Sequence, residues 1–239
     1  MRFNKIFIIL SIALIAFLIP LSSGAQFYTV VALTGNVFDA VTKEPQTVII
    51  TINDENGERV NATRSNAGEN GYYYLTGLKP GKKYTIILKK QKYFLEKYDI
   101  EIAASDKYEE ISKDFLIKPL YEGAKIPVPV PPFELNKSKL RFGAEDLLIE
   151  MANTLKNNEK VKVSIECYPD ETGNAKDNQK LTEERCNSLK EYFVSYGIDS
   201  GRIKLVSSAK TDPNNPPPTK MRAKGKRYIG PTYIVVTEL

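Results

Sequence analysis

The sequence predicts two domains: an all-β seven-stranded antiparallel sandwich, then an α/β sandwich. The second has the order β-α-β-α-β-β, with a mixed sheet and helices on one face. Three observations predict this. Residues 28–118 hold short strand-like runs broken by turn signals, without helical periodicity. Residues 119–132 are rich in proline, and from residue 133 onward apolar residues recur at alternating strand and helix spacings.

The strands of the first domain are delimited by turn residues. The β-branched run TVIITIND ends at Asn56-Gly57, a dipeptide typical of a hairpin turn. The runs GYYYLTGL and KKYTIILKK flank a second turn signal, Pro80-Gly81. About seven such strands at short, regular spacing indicate an antiparallel sandwich over residues 26–118.

Three stretches of this domain form a pattern: GNVFDAVTKEP, TVIITINDENGE and NGYYYLTGLKPGKKYTIILKKQKYF. Its defining residues are Gly35, Val37, Asp39, Thr42, Pro45, Gly71, Tyr72, Gly81 and Tyr84. The pattern resembles the carboxypeptidase regulatory-like domain, a transthyretin-like sandwich. The resemblance implies a non-catalytic module, and we expect it to engage a protein partner. The run Tyr72 to Tyr74 fits either a binding surface or core packing of one or two rings, and alternation along a strand favours packing.

The N-terminus is predicted to be a signal peptide, residues 1–25. A basic MRFNK precedes an apolar run, and Ser23 and Ala25 provide the small residues expected before a cut at Gln26. The apolar run is short for a membrane span, so a retained N-terminal anchor is the less favoured alternative. We therefore expect the mature chain to be exported.

The second domain, residues 133–239, is predicted from alternating helix and strand patterns. The preceding stretch 119–132, PLYEGAKIPVPVPP, is predicted to be an extended, semi-rigid linker. FELNKS, KVKVSIECY, RIKLVSS and RYIGPTYIVVTEL fit strands. FGAEDLLIEMANTLKNN and KDNQKLTEERCNSLKEYFVSYG fit helices, the second capped by Gly197.

An acid and a base frame the loop before the second helix. Asp170 follows strand KVKVSIECY, and Arg185 lies on the helix face that also carries Asn178 and Thr182. If the loop folds back, the carboxylate and the guanidinium flank one pocket. On spacing alone, a structural ion pair that fixes the loop to the helix is the favoured interpretation.

A fixed spacing continues through this segment. It reads Pro169-Asp170, ten residues, Leu181-Thr182, two, Arg185-Cys186, two, Leu189, three, Phe193. With the flanks PPFELNKSKL and YGIDSGRIKLV, it resembles the OmpA-like C-terminal domain family, the peptidoglycan-associated domains of outer-membrane proteins. The sequence departs from that pattern at Tyr168-Pro169, where the family has His-Thr, and at Cys186, where it has Ala.

The resemblance implies binding of the peptidoglycan stem peptide through diaminopimelate, without catalysis. Asp170 would pair with the diaminopimelate ammonium, and Arg185 would hold its carboxylate through a bidentate fork. Asn178, Asn136 and Arg227 are further predicted contacts. The basic run KMRAKGKR, residues 220–227, fits a solvated loop better than a contact with anionic wall polymer.

The composition excludes several classes of function. The chain lacks histidine, which excludes Ser-His and Cys-His catalysis and the usual zinc sites. The formal net charge of +5 is too weak to suggest a nucleic-acid partner, since Arg2 and Lys5 in the signal peptide carry part of it. No cofactor or metal is expected. The two cysteines, Cys167 and Cys186, neither require nor exclude a disulfide.

Three functions remain in competition. The leading hypothesis is a periplasmic protein, associated with the outer membrane or cell wall, that tethers an outer-membrane, secretion or gliding complex to peptidoglycan. The second is an envelope interaction scaffold whose peptidoglycan site has decayed. The third is a wall hydrolase that uses Glu166 and Asp170 as a carboxylate pair, although nothing in the sequence organises a sugar cleft around them.

Overall fold

The computed structural model describes residues 30–128, 130–218 and 227–239. The predicted signal peptide and most of the basic run 220–227 lie outside these residues. Over these ranges the fold is mainly β, with two α-helices and with both mixed and antiparallel sheets. Within the described ranges, the helices are too short or too polar to cross a membrane.

The first half of the described chain contains eight strands. They are β1 (Val31–Asp39), β2 (Ile49–Asn53), β3 (Arg59–Arg64), β4 (Tyr72–Leu78), β5 (Lys83–Lys89), β6 (Glu96–Glu101), β7 (Glu109–Ser112) and β8 (Phe115–Ile117). One sheet has the order β3-β2-β5-β6, and in the other β1 pairs with β4, β7 and β8. The pairs of β1 with β7 and with β8 are parallel.

The predicted seven antiparallel strands are therefore not confirmed. β7 is a short, mostly exposed strand of sequence EEIS, which lacks the β-branched alternation that marks a strand in sequence. Parallel strands are also not joined by a short hairpin turn, so no turn motif in the sequence marks their pairing. The two predicted turns are present: β2 and β3 pair antiparallel around Gly57 (φ 81°), and Gly81 (φ 72°) lies between β4 and β5.

The two sheets of the first half bury a common hydrophobic cluster. Alternation along β4 decides which tyrosines enter it, because successive side chains of a strand point to opposite faces. Tyr73 is buried, whereas Tyr72 and Tyr74 are 42% and 44% exposed. One ring of the tyrosine run thus packs in the core, and the other two face outward.

The second half contains four strands and two helices. They are β9 (Lys125–Pro127), α1 (Ala144–Asn157), β10 (Lys162–Cys167), α2 (Ala175–Ser195), β11 (Ile203–Ser207) and β12 (Thr232–Glu238). The sheet order is β11-β10-β12-β9, with only the β10–β11 pair parallel in this described sheet. Asn174 caps α2 by accepting from the Lys176 N–H (2.9 Å), and Gly197 (φ 92°) follows its end as expected.

Part of the predicted spacer is a strand of this sheet. β9 pairs with β12, and the Val128 N–H donates to the Thr232 carbonyl (3.0 Å). The nitrogen of the preceding residue, Pro127, therefore faces the open edge, where no ladder hydrogen bond is needed. The predicted strand FELNKS is wrong: this stretch makes only an isolated bridge between Phe133 and Leu140.

The two halves touch where the β5–β6 loop meets the end of α1. The Asn158 side chain, in a residue 1% exposed, accepts from the Lys92 N–H (2.5 Å) and donates to the Tyr93 carbonyl (2.9 Å). Phe94 packs against the hydrophobic cluster of the second half. A side chain from one half thus satisfies backbone groups of the other, as buried polar groups require.

Candidate functional site

Asp170 and Arg185 form a bidentate ion pair beyond the end of β10. Arg185 Nη1 lies 2.6 Å from Asp170 Oδ1, and Nη2 lies 2.8 Å from Oδ2. The Arg185 side chain is 0% exposed and the Asp170 side chain is 1% exposed. Parallel N–H···O contacts of this kind are among the strongest hydrogen bonds in proteins. The loop before α2 therefore does fold back, and it brings the acid and the base into direct contact.

Arg185 has an acceptor for each of its donors. Besides the two bonds to Asp170, Nε donates to the Lys137 carbonyl (2.9 Å) and Nη2 to the Glu134 carbonyl (3.2 Å). Nη1 makes a longer contact with the Tyr168 carbonyl (3.5 Å). A guanidinium carries five N–H groups, so the fork has no donor left for a ligand carboxylate in this conformation.

Asp170 is equally satisfied by backbone donors. Oδ2 accepts from the Asn136 N–H (2.7 Å), which is presented by a left-handed residue (φ 56°). Oδ1 accepts from the Gly230 N–H (2.7 Å). A Cβ at Gly230 would lie 2.0 Å from the Tyr168 carbonyl oxygen, so only glycine allows this approach. With Arg185, the carboxylate accepts four hydrogen bonds.

The other predicted contacts occupy different positions. Asn178 is buried and donates to the carbonyls of Glu171 (3.0 Å) and Ala209 (3.3 Å), which braces the loop. Asn136 takes part through its backbone, while Arg227 lies on the exposed surface rather than in the pair. Their roles as ligand contacts stay predictions.

A groove of about 750 Å³ lies beside the pair. Phe133 forms part of its wall, and its ring centroid is 5.1 Å from the Arg185 guanidinium carbon. The charged residues that line the groove are Glu134, Lys137, Arg141 and Arg227. Three cations and one carboxylate thus surround a space that adjoins the saturated ion pair.

The charged groups that line this groove interact with one another. Lys137 forms an ion pair with Glu134, and its hydrogen bond and charge, with a smaller effect of Arg141, lower the pKa of the Glu134 carboxyl. The Arg141 Nε is buried and lacks a hydrogen-bond partner within the described ranges. A buried N–H without a partner is uncommon in folded proteins.

Four residues of the site were not predicted from the sequence: Gly230, Glu134, Lys137 and Arg141. Gly230 supplies a donor to Asp170, and the Gly-Pro pair at 230–231 was the signal that could have drawn attention to it. Glu134 and Lys137 hold Arg185 through their carbonyls, which leave no mark in sequence. Arg141 belongs to the groove only because the loop before α1 places it there.

Comparison with known proteins assigns this part of the chain. Residues 132–227 match the OmpA family. An OmpA domain therefore occupies the segment that carries the Asp170–Arg185 pair and the groove. The match does not extend to the first half, where the carboxypeptidase regulatory-like assignment stays a prediction.

Curated relatives match the same kind of domain. The chain is 32% identical over 75 residues to Outer membrane protein A of Buchnera aphidicola subsp. Schizaphis graminum, covering 30% of this chain and 22% of that protein. It is 28% identical over 81 residues to a Peptidoglycan-associated lipoprotein of Mesorhizobium japonicum, covering 34% of this chain and 48% of that protein. The chain therefore spans less than half the length of either relative.

Solved structures resemble the chain more loosely. The OmpA-like domain of FopA1 from Francisella tularensis subsp. tularensis SCHU S4 gives a TM-score of 0.34 at 16% identity, covering 65% of this chain and 74% of that one. The peptidoglycan-associated lipoprotein from Burkholderia pseudomallei gives 0.36 at 14% identity, covering 47% and 89%. With TM-scores this low, the assignment rests on the sequence matches.

Proposed function

We propose that this protein is a non-catalytic component of the bacterial cell envelope whose OmpA domain binds peptidoglycan stem peptides. The observation that carries the proposal is the groove beside the Asp170–Arg185 pair. Its cations, Lys137, Arg141 and Arg227, suit peptide carboxylates, and Glu134 suits the diaminopimelate ammonium. The match of residues 132–227 to the OmpA family and the names of the relatives support the same assignment.

In this proposal the ion pair shapes the site, and the groove receives the ligand. Direct capture of diaminopimelate by Asp170 and Arg185 requires the ligand to displace at least one of their mutual hydrogen bonds. Separating a buried, satisfied pair is costly, because each charge would lose its compensation in a dry environment. The groove cations can bind without that step.

The alternative hypothesis of a wall hydrolase is disfavoured by the surroundings of its two carboxylates. Asp170 is held by Arg185. Glu166 forms an ion pair with Lys125 at 2.8 Å. A glycosidase pair needs one carboxyl group free to donate a proton and the other free to attack or to activate water.

We further propose that the chain is exported and that its first half engages an envelope partner, which would tether an outer-membrane, secretion or gliding complex to the wall. The exposed rings of Tyr72, Tyr74 and Tyr108 are suited to a protein contact. Replacing Tyr72 and Tyr74 with serine should move the protein from the outer-membrane fraction to the soluble periplasmic fraction. Unchanged fractionation would contradict this role.

Co-sedimentation with purified sacculi tests wall binding. The wild type should pellet, whereas the triple variant Lys137→Ala, Arg141→Ala, Arg227→Ala should stay in the supernatant. Lys160→Ala removes one exposed cation at the opposite end of β10 and should pellet like the wild type. Since groove charges are accessible to solvent, pelleting should weaken with added salt.

Three outcomes of the co-sedimentation would contradict parts of the proposal. If the wild type does not pellet, the second candidate is favoured: an envelope interaction scaffold with a decayed site, which the closed ion pair also suits. If the triple variant pellets as well as the wild type, the groove is not the binding surface. Release of soluble fragments from the sacculi would contradict the non-catalytic assignment.

A further inference from the structure

Two cysteines lie next to the ion pair in the chain. Cys167 ends β10, three residues before Asp170, and Cys186 follows Arg185 on α2. Both thiols are free, both residues are 0% exposed, and both belong to the same hydrophobic cluster. Neither residue has a part in the groove or in the proposed ligand contacts.

The two thiols are in contact. The Cys167 S–H donates to the Cys186 sulfur, which in turn lies 3.4 Å from the Ile165 carbonyl oxygen and 3.6 Å from that of Val206. Burial raises the pKa of Cys167 well above its usual value, while the hydrogen bond from Cys167 lowers the pKa of Cys186. Each thiol therefore has the other as its hydrogen-bonding neighbour inside the closed core.

We propose that Cys167 and Cys186 close into an intrachain disulfide when the protein folds with a disulfide oxidant, such as glutathione disulfide or a thiol–disulfide oxidoreductase. While the chain is still open, the thiolate of one cysteine attacks one oxidant sulfur and releases one small thiolate. The thiol of the other cysteine loses its proton to solvent, attacks the protein sulfur of this mixed disulfide and releases the second small thiolate. Two protein thiols and one small disulfide thus give one protein disulfide and two small thiols.

Burial fixes the order of events. An oxidant cannot reach a sulfur that is 0% exposed, so the bond forms before the core closes, and the folded protein then protects it. The bridge encloses Asp170 and joins the strand that precedes it to the helix of Arg185. It therefore holds together the two segments that supply the ion pair, and it restricts the unfolded chain.

Refolding the full chain under two redox conditions tests the proposal. Denatured protein is refolded with glutathione disulfide or with dithiothreitol, unfolded again in the presence of an alkylating reagent, and weighed as an intact chain. The oxidised sample should be monomeric, unalkylated and lighter by two hydrogen atoms, while the reduced sample should carry two alkyl groups. Two alkyl groups in both samples, a glutathione adduct or a disulfide-linked dimer would overturn the proposal.

A thermal melt provides the second readout. The oxidised wild type should unfold at a temperature higher by about 5 °C or more than the reduced wild type. The matched double variant Cys167→Ala, Cys186→Ala should melt at one temperature under both conditions. Equal midpoints for the two wild-type samples would overturn the stabilising role of the bridge. Neither readout involves peptidoglycan, so failure here leaves the proposed function untouched.

Discussion

At the scale of residues, the Asp170–Arg185 pair is strongly hydrogen-bonded and almost completely buried. The carboxylate and the guanidinium bond to each other and to backbone groups from two other parts of the chain, residues 134–137 and Gly230. Such a network is stable only while every member is satisfied, because an unpaired charge in a dry site is costly. We infer that substitution of either residue acts first on folding and only then on binding.

Asp170→Asn should lower the free energy of unfolding by about 3–5 kcal/mol, since it leaves the Arg185 guanidinium buried without its counter-charge. Urea unfolding followed by circular dichroism measures the change. The matched control is Asp177→Asn, an exposed acid in the first turn of α2, which should cost under about 1 kcal/mol. A loss at Asp170 as small as that at Asp177 would show that the pair is not a structural element.

Gly230→Ala tests the close approach of the backbone to Asp170. The new Cβ would overlap the Tyr168 carbonyl oxygen, so the loop must shift and stability should fall by about 1–3 kcal/mol. Gly173→Ala is the matched control, since its Cβ would meet only the Glu171 side chain, at 3.9 Å. That control should stay within about 0.5 kcal/mol of the wild type. Equal effects at both positions would contradict the proposed approach.

At the scale of elements, loops that hold distant segments together carry much of the fold. Asp39 ends β1 and accepts from the N–H groups of Val41 (2.7 Å) and Thr42 (3.0 Å). It also accepts from the Tyr93 hydroxyl (2.8 Å) in the β5–β6 loop, the loop that meets α1. Burial raises the pKa of Asp39, but the hydrogen bonds together outweigh it and lower the pKa below its usual value.

Asp39→Asn should therefore destabilise the protein by about 1.5–3 kcal/mol at neutral pH, because it weakens charge-assisted hydrogen bonds. A carboxyl group with a depressed pKa contributes stability above its unfolded-state pKa and loses it as the pH falls through the folded-state pKa. The difference between variant and wild type should thus narrow below about pH 4. Urea unfolding across that range measures it, and a difference independent of pH would contradict the charge-based account.

The elements also show how far the sequence can predict this structure. Apolar periodicity located both helices, and strand alternation located β10, β11 and β12. On the spacing of Asp170 and Arg185 alone, a structural ion pair is the favoured interpretation, and the two side chains are in direct contact. The spacing does not predict that the pair is saturated, because its further partners are backbone N–H and C=O groups of residues 134–137 and 230.

Two strand pairs were missed because local sequence patterns do not show which segments of the chain pair. Alternate prolines in the stretch 119–132 suggested an extended, semi-rigid polyproline linker, yet an edge strand accepts proline wherever its nitrogen faces outward. The pairing of β9 with β12 connects positions far apart in the chain, and local periodicity carries no information about such a contact. The parallel pairing of β1 with β7 was missed for the same reason.

At the scale of the whole molecule, the two halves are joined by more than a linker. Asn158 bonds to the β5–β6 loop, Phe94 packs against the hydrophobic cluster of the second half, and Lys97 forms an ion pair with Glu150 at 2.8 Å. A tether between a partner and the wall benefits from such contacts, because they transmit load through packed elements. We therefore expect the first half and the OmpA domain to unfold in one calorimetric transition, and two separated transitions would contradict this.

The central claim is that the groove, rather than the closed ion pair, receives the stem peptide. An NMR titration of the isotope-labelled full chain with a soluble diaminopimelate-containing muropeptide tests it most directly. Backbone signals of Glu134, Lys137, Arg141 and Arg227 should shift and saturate, while the Arg185 Nε–H signal keeps its position. A displaced Arg185 Nε–H signal would mean that the ligand opens the pair, and shifts confined to the first half, or none at all, would contradict peptidoglycan binding by this domain.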